Sequence, residues 1–315
     1  MALVVVAAAY GDPEVLAVVD EPVSAPGPGQ ARVLVRATGV NPIDYKQYSG
    51  VFGTDPARLP MRLGSEVAGV VAEVGPDAIG PAGPLSVGDE VIGYRVSGGY
   101  ASEIIAPAES LVPKPDKLDW PQAAGLMLTG ATAWHCLVAV GVSRSDTVLV
   151  HGAAGGVGIM AVQLAVDRGA TVIATASKGR HEFLRELGAI PVEYGPGLAD
   201  RVRAAAPGGV DAALDLVGTD EAIDVSVELI PDRARIVTIA AAGRAGQLAI
   251  KAVGGGPGAD PGTEIRSAAR LDLARLAGQG RLQVFVAQTF PLAEVAAAHR
   301  VIMTGHATGK LALIP

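Results

Sequence analysis

The residues best suited to chemistry in this 315-residue chain form a short run, His151-Gly152-Ala153-Ala154-Gly155-Gly156-Val157-Gly158. It stands between the β-branched run "TVLVHG" and the apolar helical run "VGIMAVQLAVDRG". A glycine run that ends a strand and opens a helix is the context in which such loops hold phosphates. The spacing Ala153-x-Gly155-x-x-Gly158 is the dinucleotide fingerprint with Ala in the first glycine place. Gly155 would let the backbone approach a pyrophosphate, and Gly158 would let the helix pack closely on a sheet. The first N–H groups of the helix then face the phosphates with a partial positive charge. Ala154, Gly155, Gly156, Val157 and Gly158 are the candidate cradle. A tight strand–helix turn with no ligand is the competing reading.

The next strand speaks to which dinucleotide. In NAD sites an acidic residue about 20 positions on bonds the ribose 2′-hydroxyl. Here the second strand ends in "ATASKGR", with Ser177, Lys178 and Arg180 and no acid. A hydroxyl and two cations suit a 2′-phosphate, so NADP(H) is expected. Alternatively, Lys178 and Arg180 are the solvated start of a helix.

The elements that must position these residues divide the chain by texture. Residues 1 to about 119 alternate β-branched runs such as "ARVLVRATGV", "EVAGVVAEVG" and "DEVIGY" with turn chemistry such as "APGPGQ" and "SGGY". After "VPKPDKLDWPQAAG" strands alternate with helices, which argues for a parallel sheet covered by helices on both faces. Near the end, "RLQVFVAQTFPLAEVAAAHRVIMTG" reads as strand, turn and helix, and "GKLALIP" as a last strand. The Gly-rich segment 243–264 reads as a loop around one strand, "QLAIKAV". Two long uncharged runs, 120–143 and 147–166, read as buried strand and helix rather than membrane spans, because both hold several Gly with Gln, His or Thr. The apolar N-terminus has no basic flank and reads as a strand rather than a signal peptide.

Bulk composition excludes some classes. Hydrophobic residues make up 50% of the chain and charged residues 18%, which suits a buried globular fold and not a disordered one. A net charge of −7 argues against nucleic acid or an anionic membrane as partner. The single cysteine, Cys136, allows no internal disulfide or Cys-based zinc motif and fits a reducing, cytoplasmic compartment. It sits in an apolar run and reads as a buried inert thiol. His135, His151, His181, His299 and His306 do not cluster in sequence, and none is assigned to catalysis.

The order of several motifs resembles the medium-chain dehydrogenase/reductase superfamily, and within it the zinc-free quinone oxidoreductase (zeta-crystallin-like) branch. The resemblance covers almost the whole chain. It rests on "GVNPIDYKQYSG" (39–50), "LGSEVAGVVAEVG" (63–75), "VGDEVIGY" (87–94), "GGYASEIIAPA" (98–108), "LTGATAW" (128–134), "VHGAAGGVG" (150–158), "LRELGA" (184–189) and "FPLAEVAAAHRVIMTGHATGKLAL" (290–313). It implies an α/β fold: a GroES-like mostly β domain over 1–120, a Rossmann doubly wound NADP-binding domain over 121–286, and a return to the first domain over 287–315. Zinc-dependent members offer Cys, His and Cys where this chain has Asn41, Ser65 and Gly125, none a good zinc ligand. Glu66 remains, but one carboxylate cannot hold a catalytic zinc, and the four-cysteine structural cluster is missing too.

What the resemblance then implies is metal-free hydride transfer from NADPH to a quinone or another electron-poor conjugated acceptor, whose reduced form is stabilised by delocalisation. An enoyl or alkenal/alkenone double-bond reductase is a second reading. An NADPH-binding protein with little turnover, as in lens proteins of the family, is a third. In the family the segment matching "NPIDYKQYSG" lines the substrate cleft. Asn41, Tyr45, Lys46 and Tyr48 are therefore candidate polar groups, with Lys46 by the cofactor and Lys46 or a Tyr as donor to the developing oxyanion. Alternatively, Asn41 and Asp44 brace a turn while Tyr45 and Tyr48 pack. Cofactor contacts carried over by motif are Thr129, Tyr194, Val217, Gly218, Thr238, Ile239, Ala240 and Lys310. For Lys310 a plain surface lysine is the alternative. A homodimer or homotetramer joined through strands of the nucleotide domain is expected by analogy.

Overall fold

The computed structural model describes residues 1–256, 258–305 and 307–315. They pack as two compact units, Met1–Leu128 with Arg270–Pro315, and Thr129–Ala269. The chain passes from one unit to the other inside two helices, Met127–Ala139 and Thr263–Gly278. The resemblance puts the domain boundaries at 120/121 and 286/287, while the compact units divide inside these two helices.

The first unit is built on a seven-stranded sheet. Its path runs Leu111–Pro113, Glu90–Tyr94, Glu66–Val74, Gln30–Val40, Lys310–Ile314, Val286–Pro291, and Glu103–Pro107 also pairs with Gln30–Val40. From Gln30 to Val35 partly buried and buried residues alternate, so Val33 and Val35 enter a core with Val67, Val71, Val91 and Leu111, and from Ala37 to Val40 the strand is buried throughout. Strand Lys310–Ile314 pairs antiparallel with Gln30–Val40, placing Leu311 opposite Val40. This register brings Lys310 beside Asn41, 269 positions away in sequence. Gly39, on the same strand, has no substitute: a Cβ there would lie 2.3 Å from both Ala124 O and Glu66 Oε1. The expected N-terminal strand is Ala2–Ala7, in a small sheet with Leu16–Glu21 and Met61–Arg62.

The second unit holds a six-stranded sheet in which every pairing is parallel. The order is Ile190–Val192, Thr171–Thr175, Thr147–His151, Ala212–Asp215, Ile236–Thr238, Lys251–Ala252. Counted along the chain this is 3-2-1-4-5-6, the doubly wound order, with its switch point beside the strand that feeds the glycine loop. The helix after that loop, Gly156–Asp167, is buried continuously from Gly158 to Ala165. A helix apolar on all sides belongs in a core, which accounts for the uncharged run 147–166. Among the described residues no helix is long and apolar enough to cross a membrane.

Two local expectations need correction. The run 120–143 holds helices, Trp120–Ala124 and Met127–Ala139, and no strand. The segment 243–264 is a loop around one strand only in part: the strand is Lys251–Ala252, and a helix spans Ala242–Leu248 before it. Two glycines in "AGRAGQL" argue against a helix. Burial of Ala245 and the pairing of Arg244 with Asp220 and Asp224 override that local preference.

Candidate functional site

The glycine loop leaves the carboxyl end of strand Thr147–His151, and Gly155 caps the helix Gly156–Asp167 with φ −81°. Its two key glycines differ in what the protein asks of them. A Cβ on Gly158 would sit 2.2 Å from Gly152 O and 2.7 Å from Ala153 Cα, so the close passage of the helix start over the turn requires glycine. A Cβ on Gly155 would meet only Gly152 O, at 3.4 Å, an ordinary contact. Nothing among the described residues therefore demands glycine at 155. Open space at a helix start whose first N–H groups lack intrahelical acceptors fits the phosphates of a dinucleotide. Ala154, Gly156 and Val157 share this turn and are partly exposed, as a cradle must be. Beneath it His151 is buried between Ser226 Oγ (3.2 Å) and Thr175 Oγ1 (3.3 Å), and burial lowers its pKa to about 4. It is a neutral support for the loop.

Ser177, Lys178 and Arg180 are all exposed just beyond the neighbouring strand Thr171–Thr175. One feature here escaped sequence reasoning. Lys178 Nζ lies 3.4 Å from Glu193 Oε2, and Glu193 follows the adjoining strand Ile190–Val192. Tyr194, next in the chain, is 57% exposed. The turn carrying both is pinned from below by Arg201, which donates to the carbonyl oxygens of Glu193 (2.9 Å), Pro196 (2.8 Å) and Gly195 (2.7 Å). Glu221 accepts the Gly195 N–H at 2.9 Å. Only the pairing of Ile190–Val192 with Thr171–Thr175 brings this acid to the lysine, so no local motif announces it.

The remaining strand ends of this unit are organised by Asp215, another residue the sequence reading passed over. Asp215 Oδ1 accepts the N–H groups of Val217 (3.1 Å) and Gly218 (2.8 Å), and Oδ2 accepts the Thr238 hydroxyl at 2.6 Å. Thr238 Oγ1 in turn accepts from Ala240 N–H and Ala241 N–H. Thr238 thus spends its side chain on the protein, while Val217 and Ala240 are exposed and Ile239 is half-buried. Thr129 is buried in helix Met127–Ala139, as is Cys136, whose thiol burial pushes up to about 12. His135, on the same helix, faces Asp260 at 3.2 Å and Arg266 at 3.3 Å. His181 opens helix His181–Glu186 with its ring at Ala176 O.

The first unit contains two buried polar groupings. In one, Glu66 Oε1 receives Lys310 Nζ at 2.7 Å and Asn41 Nδ2 at 2.9 Å, and Oε2 receives the Leu128 N–H at 2.8 Å. Lys310 also donates to Asn41 Oδ1. Asn41 is 1% exposed and Lys310 4%, so the plain surface lysine is ruled out: strand pairing carries the ammonium inside. Lys310 Cγ would lie 3.0 Å from a Cβ on Gly125. The lysine stem therefore occupies the space beside Gly125 while its ammonium bonds Asn41. Ser65 Oγ is buried with no hydrogen-bond partner among the described residues. Among those residues no cluster of three or more His, Cys, Asp or Glu could hold a metal.

In the other grouping, Asp44 Oδ2 accepts Asn41 N–H and Tyr100 OH, both at 2.8 Å. Tyr100 OH is 3.2 Å from His299 Nε2, and His299 Nδ1 is 2.7 Å from Tyr48 OH. Burial raises the Asp44 pKa to about 7 and lowers that of His299 to about 4. A neutral His299 protonated at Nε2 makes all bonds donate toward Asp44: Tyr48 to His299, His299 to Tyr100, Tyr100 to the carboxylate. Asp44 therefore braces the helix Pro42–Tyr48, and the hydroxyl of Tyr48 is used internally. Tyr45 packs on the same core, half-buried. Lys46 is half-buried too, and no hydrogen bond or ion pair of its ammonium occurs among the described residues. His306 lies outside the described residues.

Comparison with known proteins matches residues 27–116 to the alcohol dehydrogenase GroES-like domain and residues 187–313 to the zinc-binding dehydrogenase family. The chain is 34% identical over 328 residues to a quinone oxidoreductase of Pseudomonas aeruginosa, covering 98% of each. It is similar to the crystal structure of Escherichia coli quinone oxidoreductase complexed with NADPH, at 27% identity and TM-score 0.85, over 99% of this chain and 100% of that one. It is also similar to the CurK enoyl reductase, at 27% identity and TM-score 0.86, over 99% of each. Other relatives are far longer. The chain spans 14% of the spectinabilin polyketide synthase system protein NorB of Streptomyces orinoci, at 36% identity over 96% of its own length.

Proposed function

The chain belongs to the quinone oxidoreductase branch of the medium-chain dehydrogenase/reductase family, and we propose that it reduces an electron-poor conjugated acceptor, a quinone, with NADPH and without zinc. The observation that carries this is the helix-start turn at the sheet's switch point, where no contact among the described residues requires Gly155. When bound, NADPH supplies the hydride. The chain's own residues bind and orient. Ala154, Gly155, Gly156 and Val157 hold the pyrophosphate on backbone N–H groups, while Ser177, Lys178, Arg180 and Tyr194 take the adenosine end and its 2′-phosphate. Val217, Gly218, Ile239 and Ala240 border the cofactor at the strand ends, where ligands of such sheets bind; Thr129 and Lys310, expected at the cofactor by resemblance, are buried, and the Lys310 ammonium is held by Glu66 and Asn41.

Hydride arriving at the conjugated position leaves a hydroquinone or enolate anion, which must be stabilised and protonated. We assign Lys46 and Tyr45 as donors to that oxygen. Asn41 contributes by fixing the start of their helix, since its own amide is spent on Glu66 and Gly39 O. Metal-free chemistry is supported by residue type: by resemblance Asn41, Ser65 and Gly125 stand in the zinc-ligand places, and Lys310 fills the space beside Gly125 and bonds Asn41.

A second reading is reduction of an enoyl or alkenone double bond, favoured by the likeness to the CurK enoyl reductase. NADPH oxidation across a panel of quinones and enones decides between them. Turnover confined to quinones supports the first reading and turnover confined to enones the second. Tight NADPH binding with no turnover on either replaces both with a cofactor-binding role. The assembly is proposed as a homodimer or homotetramer, which sedimentation reads directly.

A further inference from the structure

We propose that Glu193 tempers this protein's preference for NADPH over NADH by holding Lys178 on a carboxylate that the 2′-phosphate of NADPH must displace. The inference rests on the reading of Lys178 as a 2′-phosphate ligand. In that reading Lys178 is one of two cations, with Arg180, whose charge favours NADPH over NADH, and in this structure its ammonium already faces Glu193 Oε2 at 3.4 Å. Glu193 is not a free surface acid that can drift away. Its backbone carbonyl is gripped by Arg201, whose guanidinium also takes the carbonyls of Gly195 and Pro196, and Glu221 holds the Gly195 N–H. The carboxylate is thus presented on a fixed turn next to Tyr194. A dianionic phosphate entering here meets a lysine partly neutralised and an acid of its own sign. NADH, with only hydroxyls on that ribose, suffers neither effect. The two side chains are 80% and 42% exposed, so the pair is weak and screened by salt, and the effect on binding is correspondingly modest.

The test measures dissociation constants for NADPH and NADH by direct titration of the full-length protein, wild type and Glu193→Gln, at low and high salt. Glu193→Gln is expected to tighten NADPH about two- to tenfold with little change for NADH, and the gain should shrink at high salt. In a Lys178→Met background the gain should also shrink, because no ammonium remains to be released. Glu193 shows only its side chain to the lysine and its backbone to Arg201, so the melting temperature of Glu193→Gln should stay near wild type. An unchanged NADPH-to-NADH ratio in Glu193→Gln, with wild type still preferring NADPH, overturns the inference alone. A gain of equal size in the Lys178→Met background overturns the route through Lys178. Wild-type protein that shows no preference for NADPH overturns the 2′-phosphate reading itself, and the inference with it.

Discussion

Lys310 Nζ lies 2.7 Å from Glu66 Oε1, with the two side chains 4% and 0% exposed. Three other features are shaped around this ion pair. Gly39 lacks a side chain where Glu66 passes, Gly125 lacks one where the lysine stem passes, and Asn41 bonds both partners. Removing one charge strands the other. Lys310→Met is expected to destabilise the protein by about 3–5 kcal/mol in urea unfolding. Glu66→Gln with Lys310→Met should recover a large part of that loss, because the stranded carboxylate is gone. Equal stability of the single and double variants would show that Glu66 is not desolvated by the change.

Asp44 and His299 sit at the two sides of Tyr100 and oppose each other in pH dependence. The Asp44 pKa is raised from 3.8 to about 7, mainly by burial. Between those values the folded state keeps a proton that the unfolded state has lost, so stability falls as pH rises. The difference amounts to about 4 kcal/mol across the window. Asp44→Asn keeps an acceptor for Asn41 N–H and Tyr100 OH and should remove this slope. Its stability relative to wild type should therefore improve steadily from pH 4 to pH 7, measured by urea unfolding at each pH. A difference independent of pH would mean that Asp44 is ionised throughout.

His299 has the reverse sign. Its pKa falls from 6.5 to about 4 on burial. Its contribution is present above the unfolded value and is lost as pH falls through 6.5 toward 4, because the unfolded chain takes up the proton first. The loss is about 3 kcal/mol. His299→Gln should be less stable than wild type at pH 8 through its lost bonds to Tyr48 and Tyr100, and that deficit should narrow toward pH 4. His151, also lowered to about 4, adds a second slope of the same sign, so the acid limb should remain in His299→Gln and only flatten.

What could be read from sequence divides along the same physical line. The glycine loop, the alternating strands and the buried thiol of Cys136 are specified by neighbours in the chain, where spacing carries the information. The polar groupings are not. Lys310 reaches Asn41 only because Lys310–Ile314 pairs with Gln30–Val40. Glu193 reaches Lys178 only because two parallel strands lie side by side. His299 showed no sign of Tyr48, which is 251 positions away. The helix Ala242–Leu248 was hidden for a related reason: its local composition disfavours helix, and its stabilising partners Asp220 and Asp224 belong to another helix.

Gly155 and Gly158 offer the sharpest separation of fold from ligand, because one alanine substitution at each asks two different questions. At Gly158 the added methyl would fall 2.2 Å from a backbone oxygen and 2.7 Å from a backbone carbon. Backbone cannot step aside as a flexible side chain can, so the helix start must shift off the sheet. Gly158→Ala should therefore destabilise the protein by about 1–3 kcal/mol, as overpacking does, whether or not cofactor is present. At Gly155 the methyl meets nothing closer than 3.4 Å, and φ of −81° suits alanine. The loss of glycine at a helix N-cap costs little for the fold, about a few tenths of a kcal/mol to 1. A dinucleotide lying against that backbone would meet the methyl directly. Gly155→Ala should keep its melting temperature within a few degrees of wild type and yet lose NADPH affinity by about tenfold or more, since the phosphates could no longer reach the N–H groups. Undiminished NADPH binding by a well-folded Gly155→Ala variant would place the pyrophosphate elsewhere.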